Sequence, residues 1–420
     1  MRYLVVNIGQ LLTMAGGSGP RRGKELGSVR PLQDGAVLVE DGKIAAVGFK
    51  DLVLKDERAK GSRIVDAGGR VVTPGFVDSH SHPVFAAPRL SDFEARSQGR
   101  TYEEIASSGG GILSTVEKTR GATQTSLTAG LQARAAKFLE SGTTTLEAKS
   151  GYGLDLDTEL KMLRSIATAG SAGPLELVPT LLAAHAVPPE YRGKKDDYLH
   201  LVVSEIIPKA AAEGLATFVD VFCEQGFFSV EDAARVLEAG AKAGLKGKVH
   251  AEQLTLSGGT KLAARLGAVS ADHLEACGEE DILALSSSAT VATLLPGSNY
   301  FLAKPYPQAR RFIDLGAAVA LATDFNPGSC PCWDMRMILS IACTQMRMTP
   351  AEALAAATIN GAHALGLGAT HGSLQTGKNA DIVCWDCADY REIPYWFGGT
   401  SVSWVMKAGA VVHSREGVKF

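Results

Sequence analysis

The sequence predicts an α/β fold, a closed parallel (β/α)8 barrel carrying a small sheet domain made from both chain ends. Two observations lead there. Eight strand-like apolar runs, at 71–78, 143–148, 175–184, 217–223, 247–251, 268–272, 289–295 and 317–323, alternate with amphipathic stretches, and buried parallel strands read as near-continuous apolar runs of this kind. Polar residues gather at the carboxyl ends of those runs, where a barrel does its chemistry: His80 and His82, Glu147 to Ser150, His185, His250, Asp272-His273 and Asp324. An open doubly wound sheet is the alternative, but no Gly-x-Gly-x-x-Gly opens the first helix.

Taken in order, residues 1–70 read as short strands between turns. The runs 36–40 and 44–48 flank Asp41-Gly42-Lys43, and Asp-Gly between apolar runs is a hairpin signal. The apolar start of the chain is broken by Asn7 and Gln10 and reads as a strand, not a signal sequence. Residues 71–370 are expected to hold the barrel, with helical amphipathicity in stretches such as 230–239. Gly109-Gly110-Gly111 is a loop, because the Lys-Ser/Thr of a phosphate cradle does not follow it. Residues 371–420 return to strands, at 380–385 and 402–406, and Lys407-Ala408-Gly409 turns the second into 410–413. Together with residues 1–70 they are expected to form the composite small domain.

Bulk properties bound the function. At 420 residues the chain exceeds one small core. A net charge of −3 and no Lys/Arg-rich run give no reason to expect nucleic acid or an anionic membrane as partner. No run reaches transmembrane length. Seven scattered cysteines make neither a disulfide framework nor a structural zinc site, so a reducing cytoplasm is expected. A homodimer is the expected assembly, as the commonest one for a soluble enzyme.

His80 and His82 are the most informative residues. At i and i+2 of a strand they point the same way, and Pro83 stops the strand just after them. That spacing suits two ligands on one divalent ion. His250 and Asp324, at the ends of the fifth and eighth runs, complete a set of three imidazoles and a carboxylate that suits one Zn2+ or Fe2+/Fe3+ ion per chain. A carboxylate ending a strand as apolar as 318–323 is costly without a cation or donor. Such an ion makes hydroxide available near neutral pH. Asp324 is then a general base, His273 can hydrogen-bond the water or the attacked oxygen, and His185 can polarise the carbonyl as an oxyanion stabiliser. The chemistry read from this is hydrolysis of a C–N bond in an amide, cyclic amide or amidine. No Gly-x-Ser-x-Gly elbow supports a serine hydrolase. Cys223, ending the fourth run, is a conceivable nucleophile but is read as a packing residue, and His200, His363, His371 and His413 are read as structural or solvent-facing.

The run Pro74-Gly75-Phe76-Val77-Asp78-Ser79-His80-Ser81-His82, the later histidines, Asp324 and the closing stretch 372–383 resemble the amidohydrolase superfamily. More narrowly, Lys149-Ser150-Gly151-Tyr152-Gly153-Leu154, Asp220-Val221-Phe222-Cys223-Glu224, Asp324-Phe325-Asn326-Pro327-Gly328, 355–362 and 102–112 resemble the imidazolonepropionase family along nearly the whole chain. The resemblance implies a metal-dependent-hydrolase barrel with a small β-sandwich domain from both termini. It also implies hydrolysis of 4-imidazolone-5-propanoate to N-formimidoyl-L-glutamate in histidine breakdown. Residue by residue, it implies substrate contacts from Arg89, Tyr152, His185, Asn326, Gly328 and Ser329, with Arg89 on the propionate. Gln253 matches a position often held by Glu, and an amide carries no proton, so that role passes to Glu252 or His273. The run of Phe222-Cys223-Glu224 lacks the lysine that bridges two metals in some superfamily members, which implies a mononuclear site. Lys149 is read as an orienting cation or ion-pair partner. Rival readings are another mononuclear amidohydrolase, such as a purine or pyrimidine deaminase, and a non-catalytic scaffold.

Overall fold

A computed structural model describes residues 1–101, 104, 105, 108–398 and 402–415. Tyr102, Glu103, Ala106 and Ser107, part of one motif above, lie outside these residues. The strands are β1 (Arg2–Ile8), β2 (Gln10–Leu11), β3 (Gly35–Glu40), β4 (Lys43–Phe49), β5 (Arg63–Asp66), β6 (Val71–Pro74), β7 (Phe76–Asp78), β8 (Thr143–Lys149), β9 (Glu176–Ala184), β10 (Phe218–Cys223), β11 (Lys246–Ala251), β12 (Ser270–His273), β13 (Val291–Leu294), β14 (Val319–Leu321), β15 (Ile382–Trp385), β16 (Val402–Lys407) and β17 (Ala410–Ser414). Strands β7 to β14 pair in sequence order into one eight-stranded parallel sheet, the expected (β/α)8 barrel. The termini supply a four-stranded sheet, β4-β3-β1-β5, and a five-stranded one, β17-β16-β15-β6-β2.

Those two terminal sheets share a core. Val37 and Val39 of β3 alternate with Ala36 and Leu38, and only the first pair joins Ile382, Trp404 and Met406 of the other sheet. That is the period-2 signature of a sandwich face. The β3–β4 hairpin turns at Asp41 (φ 48°) and Gly42 (φ 82°), both left-handed as the tight turn requires. Among the described residues, no helix is long and apolar enough to cross a membrane.

The run expected as one strand over 71–78 divides at Gly75. Val71–Pro74 pairs antiparallel with Ile382–Trp385 of the terminal sheet, and Phe76–Asp78 opens the barrel against β8. A Cβ at position 75 would run into the side chain of Thr144, so glycine lets the chain cross between sheets in one residue.

The barrel closes between β7 and β14 through side chains and loops. The Asp78 carboxylate accepts from Thr323 N at 3.0 Å and Thr323 Oγ1 at 2.6 Å. Burial raises the Asp78 pKa to about 7. Beyond the strands, Asp324 N donates to His80 O at 3.0 Å and His82 N to Phe325 O at 2.7 Å. The seam therefore brings the two ends of the barrel sequence together at His80, His82 and Asp324.

The strand interiors differ from the uniformly apolar expectation. Leu146, Ala148, Val221 and Val249 pack outward in the main core. Their neighbours Glu147, Lys149, Asp220 and Lys248 are fully buried and charged. With period 2, one face of each strand meets the helices and the other fills the barrel. A few charges scattered in apolar runs are thus one interior layer.

Gly75→Ala is expected to destabilise the protein by ~1–3 kcal/mol, the usual scale of overpacking, read as a lower denaturant midpoint. Adding Thr144→Ala should recover part of the loss. An unchanged midpoint in the single variant would show that the crossing tolerates a side chain.

Candidate functional site

The cavity opens at the carboxyl ends of the barrel strands and holds about 520 Å³. At its floor, His82 Nε2 lies 3.3 Å from His80 Nε2 and 3.4 Å from His250 Nε2. Asp324 Oδ1 is 3.7 Å from the first and 3.6 Å from the second of the His80/His82 nitrogens. The four residues named as ligands are thus brought together. His273 also approaches, with one ring nitrogen within 4.8 Å of those of His80 and His250.

The floor suits a cation. Burial lowers the pKa of His80 and His82 well below the usual range, helped at His80 by Lys149 and at His82 by His185, so both rings are neutral. His80 Nδ1 donates to Asp272 Oδ2 at 2.7 Å, and His250 Nδ1 sits 3.0 Å from Asp220 Oδ2. With Nδ1 turned to a carboxylate, Nε2 keeps its lone pair for a ligand bond. Burial raises Asp324 to about 6, although His273 opposes it, so this carboxylate lacks the counter-charge that a cation supplies. The backbone is strained here: Asp324 has φ 52° and His273 φ 84°, left-handed values that are rare away from glycine.

Every residue expected to contact substrate lines the cavity: Arg89, Tyr152, His185, Gln253, Asn326, Gly328 and Ser329. Arg89 Nε donates to Thr115 Oγ1 at 2.7 Å. A Cβ on Gly328 would collide with the Arg89 guanidinium, so the bare backbone makes room for it. The Asn326 amide is occupied in shaping its loop. Its Nδ2 donates to Asp324 O and Ser329 Oγ, both at 2.7 Å, and its Oδ1 accepts from Gly328 N and Ser329 N at 2.9 and 2.7 Å.

Two expected roles need correction. Glu252 does not line the cavity. Its carboxylate accepts from Gly258 N at 2.6 Å, Thr260 N at 2.8 Å, Ser257 Oγ at 3.0 Å and Thr260 Oγ1. Both oxygens are committed to the 257–260 loop, so Glu252 is no proton carrier. His185 is not an oxyanion donor. Its Nδ1 lies 3.0 Å from Gly151 O, and a carbonyl only accepts, so Nδ1 carries the hydrogen. Burial pushes its pKa down to about 3; the ring is neutral and Nε2 can only accept. His273 is the opposite case: burial lowers its pKa, but Glu275, 3.5 Å from Nδ1, outweighs that and raises it. Glu275 thereby favours the protonated ring, and only that form, with a hydrogen on each nitrogen, presents Nε2–H as a donor.

Sequence reasoning gave no role to Asp220 and Asp272, though both stand in the runs singled out, and it missed Lys248, which lies with them under the ligands, and Thr115, which holds Arg89. The signal for the first three was present, as charges at inward positions of apolar strands. Thr115 had none, since nothing local links it to Arg89. Lys149 is fully buried among carboxylates, an ion-pair partner as read.

Residues 71–412 match the amidohydrolase family model. An imidazolonepropionase of Solibacter usitatus is 46% identical over 413 residues, 98% of this chain and 99% of the relative. One of Symbiobacterium thermophilum is 48% identical over 412 residues, 97% and 96% of the two chains. Among solved structures, a 5-methylcytosine deaminase of Klebsiella pneumoniae superposes with a TM-score of 0.73 at 15% identity, covering 99% and 98%. A zinc-bound adenosine deaminase of Xanthomonas campestris gives 0.70 at 19%, covering 99% and 94%. These two likenesses establish the fold.

Glu252→Gln is expected to lower the denaturant midpoint, by ~1–3 kcal/mol for a buried bonded carboxylate, and to leave turnover by the folded protein little changed. A loss of ~10²-fold in kcat, the scale of a general acid–base group, at an unchanged midpoint would return Glu252 to catalysis.

Proposed function

The chain belongs to the amidohydrolase family and, within it, to the imidazolonepropionases, and from that membership we propose its reaction. It hydrolyses the cyclic amide of 4-imidazolone-5-propanoate to N-formimidoyl-L-glutamate in L-histidine degradation. The observation that carries this reading is the pairing of the four-ligand floor with Arg89, held by Thr115 and cleared by Gly328 at the cavity wall.

His80, His82, His250 and Asp324 would hold one divalent ion, zinc or iron. Bound there, it supplies Lewis acidity that makes water nucleophilic near neutral pH. Asp324 takes the proton of the attacking water and returns it to the departing ring nitrogen, which requires no proton from Gln253 or Glu252. His273 Nε2–H meets the charge growing on the ring carbonyl oxygen, the role that His185 cannot fill. His185 Nε2 accepts from a ring N–H, and Gln253 can donate to or accept from the ring edge. Arg89 binds the propionate with its remaining N–H groups, fixing the ring over the floor. The seven free cysteines fit the cytoplasm, the compartment we assign, and a homodimer is the assembly we assign.

The test is the product formed from freshly generated 4-imidazolone-5-propanoate, followed with parallel ammonia detection. Ring opening without ammonia release is expected, whereas ammonia as product would favour a deaminase. Arg89→Met should lower kcat/KM by about 10- to 150-fold, the worth of a charge-assisted pair of ~1.5–3 kcal/mol. Its effect on an imidazolone lacking the propionate arm should be much smaller. Gly328→Ala should reproduce the pattern by displacing the guanidinium. Equal losses on both substrates would make Arg89 structural.

A further inference from the structure

Besides Asp78 at the seam, the barrel strands beneath the cavity floor carry five buried ionisable side chains that the reaction does not use directly. Glu147, Asp220, Asp272, Lys149 and Lys248 are all fully excluded from solvent. Three acidic side chains face two lysines in an interior where an unpaired charge is costly. Two of the carboxylates have a visible task, since Asp272 faces His80 Nδ1 and Asp220 faces His250 Nδ1.

The lysines are not equivalent. Lys149 Nζ donates to Asp220 Oδ2 at 2.7 Å, lies 2.9 Å from Glu147 Oε2 and stands 3.9 Å from Asp272 Oδ2. Lys248 Nζ donates to Ser79 O at 2.8 Å and stands farther from its carboxylates, 3.3 Å from Glu147 Oε1 and 3.6 Å from Asp272 Oδ2. The same oxygen, Asp220 Oδ2, faces both Lys149 and His250 Nδ1. On the Asp272 side the shared atom is again Oδ2, which His80 Nδ1 reaches. Lys149 is the one of the two lysines with a direct hydrogen bond to a histidine-facing carboxylate.

We propose that Lys149 is a positioning residue for the metal site: by holding Asp220 directly and Asp272 at longer range, it fixes the rings of His250 and His80 with Nε2 toward the floor. This rests on the assignment of those histidines as ligands. Its physical basis is that a carboxylate orients an imidazole only while its own oxygens are held in place. Lys149 Nζ holds the very oxygen, Asp220 Oδ2, that faces His250 Nδ1. Losing orienting partners of metal-bound histidines costs 10- to 100-fold in metal affinity or activity.

The experiment compares wild type, Lys149→Met and the double variant Glu147→Gln/Lys149→Met as full chains. It reads zinc affinity by chelator competition and the melting temperature of the metal-free protein. Methionine keeps the length of the side chain and removes its charge; the added glutamine removes one of the three acids in compensation while leaving Asp220 and Asp272 in place. Lys149→Met should bind zinc about 10- to 100-fold more weakly with all four ligands present, and should melt lower without metal. The double variant should regain melting temperature and keep the weakened zinc affinity. Wild-type zinc affinity in Lys149→Met would overturn the proposal and leave Lys149 as barrel filling. Recovery of both quantities in the double variant would also overturn it, in favour of charge balance alone. Should Lys149→Met not fold, the double variant alone decides between weakened and restored affinity. A wild-type chain that binds no divalent ion would refute the ligand assignment instead.

Discussion

A carboxylate faces the Nδ1 of each of two imidazoles from beneath, and the geometry of the whole cavity floor depends on that constraint. His80 against Asp272 and His250 against Asp220 leave Nε2 free on both rings. A histidine can offer a lone pair on one nitrogen only when the other is committed as donor. The carboxylates must themselves be buried and ionised, and that demand places lysines inside the barrel. The polar interior is therefore a consequence of building the site from imidazoles, and the apolar outer faces of the same strands carry the fold.

The same logic separates residues that touch a ligand from residues that shape the space. Asn326 and Glu252 spend their hydrogen-bonding capacity on loops. Gly328 contributes by having no side chain, because Arg89 fills the volume that one would need. His185 and His273 look alike in sequence, but a backbone carbonyl beside one leaves a neutral ring that accepts at Nε2, and the carboxylate beside the other favours the protonated ring, which donates there. The environment of each ring, and not its residue type, sets what it can do to a developing charge.

Much of this was legible from local pattern. Apolar runs alternating with amphipathic stretches gave the barrel strands within a few residues, and the i, i+2 spacing at His80 and His82 placed two donors on one face. Asp324 stood out as a charge ending an apolar strand. What stayed hidden is long-range. The break at Gly75 follows from a contact with Thr144, on the neighbouring strand. The lysine–carboxylate layer joins strands that only the closed barrel brings together. The direction of the Glu252 side chain depends on a loop that folds back over it. None of these has a periodicity to read.

On the proposed function, His80, His82, His250 and Asp324 would hold one divalent ion, and that ion would supply the Lewis acidity on which ring opening depends. The most direct measurement is metal content against turnover of 4-imidazolone-5-propanoate in the protein as purified, after chelation, and during stepwise return of zinc or ferrous iron. Turnover is predicted to vanish with the metal and to return in proportion, reaching its plateau at about one ion per chain, as a mononuclear site requires. Undiminished turnover in the metal-free protein, or a plateau only at two ions, would contradict it.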